Sequence, residues 1–288
     1  MIASTFNYHK PSTLREASET LTLYKNSMIM GGGTDLIVRM RNGTQSPENV
    51  VDVKGIDELN KIYWDGEGLF IGAAISITQV KNNTDVKERF PALHQASCVF
   101  GCSEIRNRAT IGGNLCNASP GAETAGPLLI YNSTAKIWSE GKIKSLPLSD
   151  FFTAPGRTAL KHGEILTGVT IPTPPAGALS SYRRAARVKG QDLATCAISV
   201  MIVNPKKLQE REIRIALSAV MKTPSRAREL EKILSGRAIT PEVLTEAKNW
   251  MRNNLYPRAS SLRGTPDYKK DVLCGMLEII LSEFGVLG

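Results

Sequence analysis

Aromatic residues make up only 6% of the 288-residue chain, and histidine occurs three times. So few aromatics argue against a base-stacking nucleic-acid surface, even at a formal net charge of +9. His9, His94 and His162 form neither H-E-x-x-H nor H-x-H, so no metal site is expected. No apolar run approaches the roughly 18 residues of a membrane-spanning helix. The opening MIASTFNYHK lacks a basic stretch followed by a long apolar one, so no signal peptide is expected. The five cysteines (98, 102, 116, 196 and 274) are an odd set without a secreted framework spacing. A reducing cytoplasm is the simpler reading.

The length suits two domains. Basic residues are spread along the chain, and the densest run, Arg183 to Lys189, lies in a strand-like stretch. Such a surplus fits a solvated surface, or a cradle for an anionic cofactor or an acidic partner. Helical spacing and a capping Thr13 predict a helix over 13–26. Strands are expected at 28–30, 50–53, 69–73, 135–138 and 165–171. Helices are expected at 35–41, from 76, and at 90–101, with Pro91 at the start of the last. Residues 105–127, rich in glycine and proline, read as a loop. The stretch PTPPAGALSS at 172–181 reads as a linker and marks the domain boundary. Beyond it, strands at 180–188, 194–203 and 213–220 precede helices at 225–234, 241–253 and 266–284. That order predicts an α+β layer, a small antiparallel sheet covered by helices.

Two glycine-rich stretches carry the chemistry. MIMGGGTDL at 28–36 runs an apolar strand into Gly31-Gly32-Gly33. A phosphate loop needs a Lys before the Ser or Thr, and here Gly33 precedes Thr34. A dinucleotide fingerprint needs a third glycine at its proper spacing, which is absent. What remains is a nest, in which consecutive glycines let N–H groups converge on an anion, with Thr34 and Asp35 beside it. The second stretch, RNRATIGGNLCNASPGAETAGPLL at 106–129, repeats apolar residue, Gly-Gly and short polar side chains. Two such nests suit a diphosphate held from both sides, and Asn114, Asn117 and Ser119 can bond to ribose or ring edges.

GGGTDL at 31–36 and IRNRATIGGNLCNASPGAET at 105–124 resemble the two FAD-binding motifs of the FAD-binding (medium) subunits of the molybdenum hydroxylases. That family includes xanthine, carbon monoxide and aldehyde dehydrogenases. The resemblance extends over the whole chain, through Phe6–Pro11, Val51-Asp52-Val53, GEILTGVTIPTP at 163–174 and SYRRAARVKGQDLATCAISV at 181–200. It implies a PCMH-type FAD-binding domain of two α+β subdomains over 1–177. A C-terminal domain over 178–288, with a three-stranded antiparallel sheet and helices, would follow.

The resemblance also implies a role. The chain would pass electrons through non-covalent FAD to NAD+ or another acceptor. It would receive them from the [2Fe-2S] clusters of a small partner subunit, while a large partner holds the molybdenum cofactor and oxidises the organic substrate. No catalytic residue acting on that substrate is then expected here. By position, Ile29, Met30, Gly31, Gly32, Gly33, Thr34, Asp35 and Leu36 would wrap the diphosphate and adenosine side, together with Thr110, Ile111, Gly112, Gly113 and Asn114. Asn117 would join them. Phe100 and Glu123 would lie at the flavin, Glu123 where the family usually has Asp, and Leu166 would pack on the cofactor. Arg183, Arg184 or Lys189 would supply a cation near the isoalloxazine, where positive charge stabilises the reduced ring. Some members carry a [4Fe-4S] cluster on an inserted loop with four cysteines; that insertion is absent here.

Two rival readings stand beside this one. The chain could be a stand-alone PCMH-type flavin oxidoreductase, although no His/Tyr/Arg substrate cluster follows the linker. It could also be a basic binding module that uses the glycine loops without redox chemistry, which salt-dependent nucleic-acid binding by a colourless protein would favour.

Overall fold

The computed structural model describes residues 5–188, 190–257 and 263–288. Three short strands build the first layer: β1 (Asn7–His9), β2 (Ser27–Met30) and β3 (Asn49–Asp52). They pair in parallel in the order β1-β3-β2. Helix α1 (Leu14–Leu23) joins β1 to β2, and α2 (Leu36–Arg41) follows β2. The hydroxyl of Thr13 accepts from the Glu16 N–H and caps α1, which buries Leu14, Ala17 and Leu21 on one face. Parallel pairing brings the carboxyl ends of β2 and β3 to one side, where ligands of such sheets characteristically bind. The Gly31–Gly33 turn leaves from that side.

The second layer is antiparallel. Its strands are β4 (Ile62–Trp64), β5 (Leu69–Gly72), β6 (Thr134–Ser139), β7 (Lys142–Pro147) and, after the small hairpin β8 (Phe152–Ala154) and β9 (Arg157–Thr158), β10 (Ile165–Ile171). The order is β4-β5-β10-β6-β7, with β10 central and buried along its length. Helices α3 (Ile77–Asn82), α4 (Thr84–Arg89) and α5 (Pro91–Val99) follow β5. Ser76 and Gln79 form a reciprocal capping box on α3. Three more short helices come next: α6 (Ser103–Arg108), α7 (Ile111–Cys116) and α8 (Ala125–Ile130).

Those three helices correct the expectation of a loop over 105–127. Their glycines serve close packing. A side chain at Gly112 would meet Ala73, with Cβ atoms 2.5 Å apart, and one at Gly126 would meet the Ser199 hydroxyl at 2.8 Å. Tertiary contact thus stabilises helices whose composition argues against them.

After the connection at 172–178, β11 (Leu179–Ala185), β12 (Cys196–Val203), β13 (Glu212–Ser218) and the two-residue β14 (Ser225–Arg226) form an antiparallel sheet in chain order. The short fourth strand takes the place of the helix start expected at 225. Helices α9 (Arg228–Leu234), α10 (Pro241–Asn254) and α11 (Pro266–Glu283) complete the chain. Every residue of β12 is buried, and its faces serve different cores. Cys196, Ile198, Val200 and Ile202 pack with residues of α9, α10 and α11. Ala197, Met201 and Val203 join the core of the N-terminal layers, and α8 packs on β12 and β13. Burying each such aliphatic side chain contributes about 1.5–3 kcal/mol. No described helix is long and apolar enough to cross a membrane.

Candidate functional site

The two glycine-rich stretches lie back to back. A Cβ on Gly32 would fall 1.8 Å from the Arg108 carbonyl oxygen, and one on Gly31 would fall 2.8 Å from the Thr110 hydroxyl. Gly33 has φ +74°, a left-handed conformation open to glycine. Each glycine of the run therefore has its own reason, two steric and one conformational.

The run forms part of the wall of a cavity of about 500 Å³. Ile29, Gly31, Gly32, Gly33, Thr34, Asp35 and Leu36 line one side. Thr110, Gly112, Gly113, Asn114 and Asn117 line another, and Phe100 and Leu166 complete the set expected from sequence. Among the described residues, the backbone N–H groups of Gly31, Gly32, Gly33, Thr34 and Asp35 have no protein acceptor. Five successive donors without a protein acceptor are thus available to an anion in the cavity.

The second stretch works differently from the expected second nest. Its N–H groups are already engaged: Ile111 donates to the Ile75 carbonyl at 3.0 Å, and Gly112 to the Ala73 carbonyl at 3.0 Å. Gly113 donates to the Thr110 hydroxyl at 2.9 Å. This stretch is a packed wall that offers side chains. Asn114 Oδ1 accepts from the Thr124 hydroxyl at 2.7 Å, which leaves its amide N–H groups available.

Several expected residues fall outside the cavity lining. Ile111 is fully buried in the N-terminal core, and Met30 is half-buried on the strand before the turn. Glu123 forms an ion pair with Arg184, with both side chains about nine-tenths buried. Burial pushes the Glu123 carboxyl up to about 7, against the pull of the Arg184 guanidinium. Arg183 pairs with Glu283 of α11. Arg183 and Arg184 instead line a second cavity, of about 720 Å³, with His94, Cys98 and Tyr182. Lys189 lies outside the described residues.

The cations on the main cavity are others, Arg39 and Lys161. Neither stood out in the sequence. Arg39 sits one turn into the helix after the glycine run, and Lys161 precedes a motif whose interest began at Gly163. The 160–166 segment forms one wall, and the Ser18 hydroxyl of α1 donates to the Gly163 carbonyl at 2.8 Å to fix it. Glu164 on this wall is compensated. Burial alone would raise its pKa, but hydrogen bonds from Lys144, the Lys161 N–H and Ser139 outweigh burial and hold it below the usual range. Phe100 is set by Arg106, whose guanidinium donates to the Phe100 carbonyl at 2.9 Å.

The donor set suits a long ligand with an anionic middle: an unpaired amide nest, two cations, side-chain amides and apolar walls from Phe100 and Leu166. Comparison with known proteins names that ligand. The family described as the FAD binding domain in molybdopterin dehydrogenase matches residues 4–174, and the CO dehydrogenase flavoprotein C-terminal domain matches 180–284. This chain belongs to the FAD-binding subunits of the molybdenum hydroxylases.

The xanthine dehydrogenase FAD-binding subunit of Escherichia coli O157:H7 is 28% identical over 281 residues, which is 96% of this chain and 95% of that protein. The carbon monoxide dehydrogenase medium chain of Afipia carboxidovorans is 28% identical over 278 residues and 96% of each chain. The solved carbon monoxide dehydrogenase from Hydrogenophaga pseudoflava superposes with a TM-score of 0.91 at 28% identity, covering 97% of this chain and 96% of that one. The family cofactor is FAD, and these relatives are subunits or chains of oxidoreductases. The α+β architecture expected from the motifs is the one observed.

Proposed function

We propose that this chain is the electron-carrying flavin subunit of a heterotrimeric molybdenum hydroxylase. The observation that carries the reading is the 500 Å³ cavity, whose unpaired Gly31–Asp35 amides and flanking cations fit a diphosphate. The first glycine loop and Arg39 hold the diphosphate. Asn114 and Asn117 bond the polar edges of the cofactor, and Phe100 and Leu166 give it an apolar face. FAD, when bound, supplies the step between one-electron and two-electron chemistry. The protein's part is to bind, orient and partly desolvate it. Attachment is non-covalent, since neither glycine-rich motif contains a histidine; only a link to Cys116, on the cavity wall, would change this.

Electrons arrive from [2Fe-2S] clusters on a small partner subunit and leave to NAD+ or another soluble acceptor. The molybdenum cofactor resides on a large partner. Catalysis of the organic oxidation lies outside this chain, which acts in the cytoplasm, does not insert into a membrane and has no nucleic-acid partner. The segments 1–177 and 178–288 are its two domains.

The test is spectroscopic. The purified chain should show flavin absorbance, and heat or acid should release close to one FAD per chain. A folded protein that stays colourless after incubation with FAD would refute the cofactor assignment. Turnover of an organic substrate by this chain alone would instead favour a stand-alone flavin oxidoreductase.

A further inference from the structure

One cation of the main cavity is tied to the opposite wall. The Arg39 guanidinium, through Nη2, donates to Asn117 Oδ1 at 2.5 Å. Arg39 stands on α2, just after the first glycine loop, and Asn117 caps the end of α7, just after the second. Both line the cavity, so the bond bridges its two walls. Asn117 orients the guanidinium without cancelling its charge. Among the described residues Arg39 pairs with no carboxylate, not even with Asp35 at the N-cap of its helix. A half-buried cation held by a neutral amide, beside five unpaired N–H groups, is a built anion subsite.

We propose that Arg39 is the charge partner of the cofactor's diphosphate. In this reading the Arg39–Asn117 bond fixes the span between the two walls and makes the cavity select a diphosphate-bearing flavin over one without it. The proposal rests on the FAD assignment above and adds a ligand to it. A guanidinium presents several donors in a planar fork, so it meets two phosphate oxygens at once, which an ammonium does not. The Asp35 carboxylate, on the same wall, suits a ribose hydroxyl and is no phosphate ligand.

The experiment is a titration of the full-length, flavin-stripped chain with FAD, ADP and riboflavin, in wild type, Arg39→Met, Arg39→Lys and Asn117→Ala. Circular dichroism and urea unfolding establish that each variant is folded. A charge-assisted hydrogen bond contributes about 1.5–3 kcal/mol, so Arg39→Met should weaken FAD and ADP by about 10- to 100-fold. Riboflavin, which has no phosphate, should be unaffected. Arg39→Lys should fall between wild type and Arg39→Met, and Asn117→Ala should lose less than Arg39→Met because the charge remains. The wild-type affinity for ADP should decline with salt more steeply than that of Arg39→Met. Equal affinities of wild type and Arg39→Met for FAD and ADP would overturn the proposal while leaving the FAD assignment intact. Equal loss for riboflavin and ADP would also overturn it, by showing a collapsed cavity. A folded wild-type chain that fails to bind FAD would refute the assignment and the proposal with it.

Discussion

Replacing Gly32 with alanine tests the back-to-back packing of the two glycine stretches. The added Cβ would lie 1.8 Å from the Arg108 carbonyl oxygen, 2.5 Å from its carbon and 2.8 Å from the Ala109 Cα. All three are backbone atoms, so no side chain can rotate away. The opposing backbone is also fixed. Ala109 N–H donates to the Ile105 carbonyl at 2.7 Å, and the Ala109 carbonyl accepts from Ile77 at 2.9 Å. Relief requires the stretches to separate by more than about 1 Å. Overpacking of this kind costs about 1–3 kcal/mol, and a backbone-to-backbone clash belongs at the upper end. Separation also displaces the unpaired amides, and loss of two amide–phosphate bonds would weaken FAD by at least about 100-fold. The assay is a urea midpoint and a fluorescence titration with FAD on the same preparation. Gly275→Ala is the control, because that glycine lies inside α11 with nothing within 4 Å of its added Cβ. It should leave FAD binding unchanged and stabilise the fold by up to about 1 kcal/mol. A Gly32→Ala chain with wild-type midpoint and wild-type affinity would refute the packing argument.

Three further outcomes follow from side chains. Thr110→Val keeps the shape but removes the cap on the Gly113 N–H, at 2.9 Å, and should cost about 1 kcal/mol; an unmoved urea midpoint would count against the cap. Arg226→Met removes the buried guanidinium that pairs with the Glu231 carboxylate, with both side chains less than 10% exposed, and leaves that carboxylate only the longer, 3.6 Å contact with the exposed Arg228. It should cost about 3–5 kcal/mol by chemical denaturation, and a loss below about 1 kcal/mol would contradict the pairing. Burial raises Glu123 from 4.5 to about 7, so the folded chain holds that proton more tightly than the unfolded one. Its contribution is complete below about pH 4.5 and is lost as pH rises through about 7. Glu123→Gln should abolish this decline, and parallel pH profiles of wild type and variant would show that the carboxyl does not titrate there.

Much of the site was legible because its chemistry is local. Gly31-Gly32-Gly33 and Thr110-Ile111-Gly112-Gly113 announce unusual backbone, and most of the residues expected beside them line one cavity. The engagement of the Ile111 and Gly112 amides was hidden, because their acceptors, Ile75 and Ala73, lie some 36 to 39 positions earlier in the chain. Arg39 was hidden for the opposite reason. In sequence it is an ordinary basic residue near a helix end, and only the bond to Asn117 turns it toward the cavity. The helices α7 and α8 are hidden because glycine and proline read as breakers, while α7 packs against β5 and β10 and α8 against β12 and β13; α6 packs against α3. Arg183 and Arg184 were legible as charges, but their partners Glu283 and Glu123 were not.

The doubly buried strand β12 has a consequence for how the chain comes apart. Ala197, Met201 and Val203 close the N-terminal core, while their neighbours Cys196, Ile198, Val200 and Ile202 close the C-terminal one. A single strand is therefore the floor of one core and the ceiling of the other. Severing the chain within 172–178 would leave the N-terminal piece with an open flank and the C-terminal sheet with a bare apolar side. The two halves should therefore unfold together, and a single urea transition seen by probes in either half would show it.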